Sequence, residues 1–432
     1  MSRRPARLAA LVATAVCAVM LAGCGVPTAG GPHLVVREFG TTVTSEVGIT
    51  LQGLRPGEPV VLTATARTSA GTWRSRSVFP VPPDGTVSLA AQQPALGAYA
   101  GADPGGPLWS MSGPPTSQDE LERAWAYGGV DVVVAADQGG RRVATTTLRR
   151  QGLAEVTAQR FVEPSELVPE GVPPDATGTP SAATAGWVVV PFPLPSGSPR
   201  PGVLLIDGDE GGASAVFAAR VIAAAGFPVF VLPAFGPPGQ LPGSAALSVE
   251  AFDAALSWFA GRRLVDQDRV LVYGTGAASG MALWFASHRP DRVRGAIAAG
   301  GPTALLCAAR GGSPTLTDHG EPVPCEDGTR AVADTALPPV RLISGPVVLA
   351  CGLADETLPS TCEWADAVHT ARGRRVGDVV MRTHGAAHDV VTAPLLPIGL
   401  DDLPPATAQA TEQGRRTFWA AVIGTLEQEA RR

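Results

Sequence analysis

Beyond its first two dozen residues the chain has no apolar run long enough to cross a bilayer, no surplus of basic charge and no Cys-x-x-Cys pair. The first absence excludes a membrane protein built from several helical spans. With 33 Lys and Arg against 39 Asp and Glu, the formal charge is −6. An acidic chain lacks the basic footprint that nucleic acid requires, so no nucleic-acid partner is expected. Without paired-cysteine spacing no metal site is expected, and no cofactor is implied. No internal repeat is evident. What remains is a globular composition, 45% hydrophobic and 17% charged, with 51 Gly and 41 Pro marking many turns. At 432 residues the length points to two domains.

The N-terminus reads as a targeting segment. Arg3, Arg4 and Arg7 form a basic start, and Leu8 to Met20 is apolar but short for a bilayer span. Leu21-Ala22-Gly23-Cys24 follows, and this order resembles a bacterial lipobox. The resemblance implies cleavage of residues 1–23 as a signal peptide and lipid on Cys24, with residues 24–32 as a tether. The mature chain is then expected at the cell membrane, lipid-anchored and extracytoplasmic. Loss of the leader removes three arginines and no acid, which brings the charge to −9. Four cysteines remain, Cys307, Cys325, Cys351 and Cys362, and allow three pairings. Pairing by neighbours, Cys307–Cys325 and Cys351–Cys362, is expected, because each bond would staple one loop beside the candidate active face.

Residues 33–165 read as an all-β sandwich: short runs such as "PVVLTATAR" and "TWRSRSVFPV" alternate between Gly- and Pro-containing turns. "VDVVVAAD" and "RRVATTTLRR", joined at Gln138-Gly139-Gly140, read as a hairpin. Residues 166–186 are rich in Pro, Ser, Thr and Ala and read as a linker. From residue 187 to 432 unbroken apolar strands alternate with helices, the pattern of a mostly parallel, doubly wound sheet covered on both faces.

"LVYGTGAASGMALWFAS", residues 271–287, has the layout of a G-x-S-x-G nucleophile elbow, a strand turning sharply into a helix. Its central position is Gly276, and Ala278 stands where the last glycine belongs. Thr275 is expected to point away from the pocket, and Ser279 to lie about one helical turn beyond the elbow. Downstream, "PVVLACGLADETLPS" places Asp355 just past a strand, and "VVMRTHGAAHDV" places His388 in a loop after the last strand. This is the chain order, nucleophile then acid then histidine, that α/β-hydrolase triads follow. His384 competes with His388 but sits only one residue past its strand. The oxyanion donors are expected at Gly211 and Gly212 of "LLIDGDEGGASA" and at Ala277 after the elbow, although Asp209 and Glu210 oppose an anion there.

Taken together, these segments resemble the acyl-CoA thioesterase / bile-acid-CoA:amino-acid N-acyltransferase family. "LQGLRPGEPVVLTATARTSAGTWRSRSVF" and "ALGAYAGADPGGPLWSM" are similar to its N-terminal domain. "GVLLIDGDEGG", Leu241-Pro242, the elbow, "GLADETLPS" and "GAAHDVVTAPLLP" are similar to its second domain, in order. The resemblance implies an immunoglobulin-like sandwich followed by an α/β-hydrolase domain. It also implies an acyl ester or thioester as ligand, Asp355 and His388 as acid and base, and Gly276 at the position of the nucleophile. Loss of the nucleophile in such triads removes roughly 10⁶-fold in kcat, so activity is expected to be reduced or lost. The other expectation is hydrolysis through a non-standard nucleophile or a water activated by His388. Oligomeric state is not legible in the sequence.

Overall fold

The computed structural model describes residues 30–126, 128–167, 185–207, 213–234, 246–307, 315–326, 337–398 and 403–432. The expected leader and Cys24 lie outside the described residues, as do Gly211, Gly212, Asp209, Glu210 and the Leu241-Pro242 pair.

Eight strands open the fold. They are β1 (His33–Glu38), β2 (Val47–Gln52), β3 (Val60–Thr68), β4 (Gly71–Phe79), β5 (Val87–Ser88), β6 (Leu96–Gly97), β7 (Val130–Gln138) and β8 (Arg141–Arg150). Two helices, α1 (Gly106–Trp109) and α2 (Gln118–Ala126), lie between β6 and β7. One antiparallel sheet runs β1-β2-β5 and the other β6-β4-β3-β7-β8. Alternation explains the packing: Val60, Leu62, Ala64 and Ala66 are buried, while the residues between them are half-exposed. The expected hairpin joins β7 to β8 through Gly139 and Gly140, both at positive φ (60° and 72°). A two-residue turn of that handedness matches strand twist, and glycine reaches it without a Cβ penalty.

The second part carries strands β9 (Thr157–Val162), β10 (Gly186–Pro191), β11 (Arg200–Asp207), β12 (Val229–Pro233), β13 (Leu247–Ser248), β14 (Val265–Thr275) and β15 (Gly295–Ala299). After them come β16 (Leu316–Asp318), β17 (Glu321–Pro322), β18 (Val347–Gly352) and β19 (Val379–Thr383). Helices α3 (Ala213–Ala224), α4 (Val249–Ala260), α5 (Ser279–His288), α6 (Thr361–Ala371) and α7 (Pro405–Ala430) alternate with them. Eight of these strands form one sheet in the order β9-β10-β12-β11-β14-β15-β18-β19. The pairings of β10 with β9 and β12 are antiparallel and the others in this sheet are parallel. In chain order this is 1-2-4-3-5-6-7-8, the arrangement of an α/β-hydrolase sheet. The small β13-β16-β17 sheet is separate.

Continuous apolar runs make both faces. Val203, Leu205, Leu271 and Tyr273 join the core shared with the sandwich, α3 and α7, while Leu204, Ile206, Val270 and Val272 join the core under α4, α5 and α6. The sandwich and one face of the large sheet therefore share one buried core.

One boundary differs from expectation. β9 lies within the span read as sandwich, yet it pairs with β10 along six residues and forms the edge of the large sheet. Its buried positions are Thr157 and Val162 and the residues between are exposed, so this edge strand lacks the unbroken apolar run that marks an inner parallel strand. Both disulfides join sequence neighbours, Cys307 to Cys325 and Cys351 to Cys362. The first closes the insertion that carries β16 and β17; the second ties β18 to the start of α6.

Candidate active site

At the end of β14 the chain turns through Gly276, whose φ is +54°, into a short 3₁₀ turn (Gly276–Ala278) and then α5. Three glycines make the turn possible. A Cβ on Gly274 would lie 2.2 Å from the carbonyl oxygen of Ala278, and one on Gly301 would lie 1.9 Å from that of Gly276. At Gly276 itself a Cβ would meet no heavy atom within 4 Å. The elbow is therefore built, positive φ included, and its apex is bare. Ala278 has φ −81° and ψ −6°, so the motif's missing last glycine costs the backbone nothing.

The histidine and the acid come from loops after adjacent strands, β19 and β18. Two backbone hydrogen bonds join those loops: Leu353 N–H donates to Thr383 O (3.0 Å) and Ala354 N–H to Ala386 O (2.9 Å). A Cβ on Gly352 would lie 2.3 Å from the Ala387 carbonyl oxygen, so only glycine allows this approach. His388 Nδ1 lies 2.9 Å from Asp355 Oδ2. The other carboxylate oxygen, Oδ1, accepts from the N–H groups of Thr357 (2.9 Å) and Leu358 (2.8 Å). Burial alone would raise the Asp355 carboxyl. Its bond to His388 and these two N–H donors outweigh that and hold it below the usual carboxylate range. A carboxylate so placed keeps the proton on Nδ1 and leaves Nε2 as the basic nitrogen.

Helix α7 clamps the histidine loop, a role the sequence reading did not assign. Thr411 Oγ1 accepts from Ala387 N–H (2.9 Å), and Glu412 accepts from Leu395 N–H (3.0 Å). Arg415 Nε donates to Asp389 O (3.0 Å) and Trp419 Nε1 to Thr392 O (2.9 Å). These four residues recur at helical spacing on one face, and that spacing was the available signal. Desolvation pushes the Glu412 carboxyl up to about 7, against the pull of Arg416 and Arg415.

A cavity of about 270 Å³ opens at the C-terminal ends of the parallel strands and is lined by Gly276, Gly300 and His388. That is where ligands bind in open α/β sheets, beside the point at which strand order reverses. Thr275, expected to point away from the pocket, is among the residues that line it. It is the last residue of β14, just before the turn. Ser279 is buried, and among the described residues its Oγ has no hydrogen-bond partner and does not line the cavity. Ala277 is exposed and outside the lining. The expected donors Gly211 and Gly212 lie outside the described residues. Two acids that the sequence reading left out of the site also line the cavity, Asp207 at the end of β11 and Glu122 from α2.

His384 and His388 stand four residues apart, but in a loop rather than a helix, and His384 is exposed. Among the described residues the group close enough to hold an ion is Glu250, Asp318 and His319, with Asp318 and His319 exposed.

Residues 44–163 match the family described as acyl-CoA thioester hydrolase/BAAT N-terminal region. No curated protein matches the chain. Solved structures similar to it include an esterase of Pyrobaculum calidifontis, at 17% identity and a TM-score of 0.40, covering 64% of this chain and 88% of that one. A dienelactone hydrolase-like promiscuous phosphotriesterase from metagenomic libraries is 17% identical at a TM-score of 0.40, over 63% of this chain and 98% of its own. A bacterial heroin esterase is 16% identical at a TM-score of 0.39, over 63% of this chain and 85% of its own. Residues 44–163 are thus similar to the N-terminal region of the acyl-CoA thioester hydrolase/BAAT family, in one chain with an α/β-hydrolase sheet.

Proposed function

We propose that this chain is a lipid-anchored, extracytoplasmic protein that binds acyl esters or thioesters and has lost the covalent step of catalysis. The observation that carries the reading is Gly276: an elbow at φ +54°, facing a cavity that holds His388, with no side chain to attack. In a triad the elbow residue forms the acyl-enzyme, and the histidine relays its proton. Here the histidine and its aspartate partner are retained, and the acceptor of the acyl group is missing. Glycine also relieves strain that a side chain would introduce at this turn, on the order of 1–3 kcal/mol. Thr275 lies on the rim but precedes the turn that would aim a nucleophile. The anchor is supported by the basic-then-apolar leader ending in Leu21-Ala22-Gly23-Cys24.

A second reading is hydrolysis without an acyl-enzyme, and the intact His388–Asp355 hydrogen bond favours it. In that case Nε2 of His388 takes a proton from a water standing where the serine oxygen would be. The resulting hydroxide adds to the acyl carbon, and the imidazolium returns the proton to the departing alkoxide or thiolate. The two readings separate in one experiment on the mature protein. A serine-directed fluorophosphonate and a panel of acyl thioesters are applied to wild type and to His388→Ala. No labelling and no turnover supports the binding reading; turnover that His388→Ala abolishes supports the water reading. Labelling of wild type that survives His388→Ala refutes both.

A further inference from the structure

A second cleft, of about 530 Å³, lies between the loop from β1 to β2 and the helices α3 and α7. It is not an isolated hollow. Three elements line the first cavity and then, a few residues on, line this one. On α3, Ala218 faces the cavity at Gly276, and Val221 and then Ala225 just past the helix face the cleft. Those steps of three and four residues keep one face of the helix turned to both. In the histidine loop, Ala393 lines the first space and Pro394 the second. Trp419 of α7 lines both. It is 4% exposed, held by its Nε1 hydrogen bond to Thr392 O and stacked on Tyr273 with ring centroids 6.4 Å apart. The two spaces therefore follow one another along α3, and one indole lines both.

We propose that the cleft receives the distal, aliphatic part of the same ester whose carbonyl sits at Gly276 and His388, and that Trp419 sets how far that chain reaches. The inference rests on the reading of the first cavity as the ester site. The chemistry of the walls selects the occupant. The side formed by α3 and α7 is apolar, with Val221, Ala224, Ala225, Trp419, Ala420 and Ile423. The loop from β1 to β2 closes the other side with threonine and serine hydroxyls. The charges at its edge are Arg416 and Glu46, 3.5 Å apart, and Arg416 is also paired with Glu412 and Asp103. Such a lining accepts an uncharged hydrocarbon tail and offers nothing to hold a polyanionic nucleotide tail.

The test uses the mature, full-length protein and two methyl ketones, one with a butyl chain and one with a dodecyl chain, titrated by calorimetry. A ketone presents the carbonyl without a bond to hydrolyse. Ala224→Trp places an indole in the cleft from an exposed helix end, where folding tolerates it. It is expected to weaken dodecyl binding by at least about tenfold and leave butyl binding unchanged. Trp419→Ala, if folded, is expected to strengthen dodecyl binding. Dodecyl affinity equal in wild type and Ala224→Trp, with butyl binding intact, overturns this inference and leaves the ester site standing. Failure of both ketones to bind wild type overturns the ester site and the inference together.

Discussion

His388 Nδ1 lies 2.9 Å from Asp355 Oδ2, a contact between residues 33 apart in the chain that is made by loops following neighbouring strands. The carboxylate is held below the usual range, its burial outweighed by His388 and the N–H groups of Leu358 and Thr357. A group with a lowered folded-state pKa adds stability above its unfolded pKa and loses it as pH falls through the folded value. Asp355→Asn is therefore expected to lower the melting temperature at pH 7 and to converge with wild type in acid. A charge-assisted hydrogen bond of this kind is worth about 1.5–3 kcal/mol. Parallel thermal melts at pH 7 and pH 3 check it, and an equal loss at both would contradict the assignment of charge.

Gly276→Ser should place a hydroxyl in open space above the elbow, within reach of His388. Covalent labelling by a fluorophosphonate is the expected gain, and labelling should vanish in Gly276→Ser/His388→Ala. The positive φ carries a stability loss of about 1–3 kcal/mol, visible as a shift in the denaturant midpoint. A folded Gly276→Ser protein that stays unlabelled would mean that the oxyanion donors are absent as well.

Gly274→Ala tests the turn from the other side. The new methyl would stand 2.2 Å from the Ala278 carbonyl oxygen, a backbone atom that cannot swing away. Destabilisation of about 1–3 kcal/mol is expected, as in other overpacked sites. An unfolding curve superimposable on wild type would show that the elbow is looser than described.

Glu412 makes the pH dependence run the opposite way. Its carboxyl, ordinarily near 4.5, is pushed up to about 7 by burial, with Arg416 and Arg415 opposing the rise. Because the native state holds this proton more tightly than the unfolded chain, its contribution to stability falls as pH rises between those values. Glu412→Gln is expected to flatten the stability profile across that window while keeping an acceptor for Leu395 N–H. Urea titrations at pH 5 and pH 8 measure the difference, and an unchanged slope in the variant would assign the titration elsewhere.

The leader makes a prediction independent of the fold. Cys24→Ala should abolish incorporation of radiolabelled fatty acid and release the protein from the membrane fraction. Unchanged labelling would remove the lipid anchor from the proposal.

Much of this protein was legible from local pattern. Apolar runs such as "GVLLIDG" and "RVLVYG" mark inner strands because burial on both faces leaves no polar position, and the structure places them at β11 and β14. The elbow was legible because a positive-φ turn demands glycine at particular offsets, and the neighbour pairing of the cysteines followed from the loops they close. Tertiary structure decided what local pattern could not carry. β9, an edge strand with exposed middle residues, has no buried run to announce it, and only its pairing with β10 assigns it to the large sheet. Thr275 lines the cavity because β14 ends there, a matter of strand position rather than residue type. Glu122, Asp207 and the clamp of Thr411, Glu412, Arg415 and Trp419 reach the site from helices and strands distant in sequence. A side chain's neighbours across such distances are set by packing: the spacing within α7 marks one face of the helix, but not the loop which that face holds.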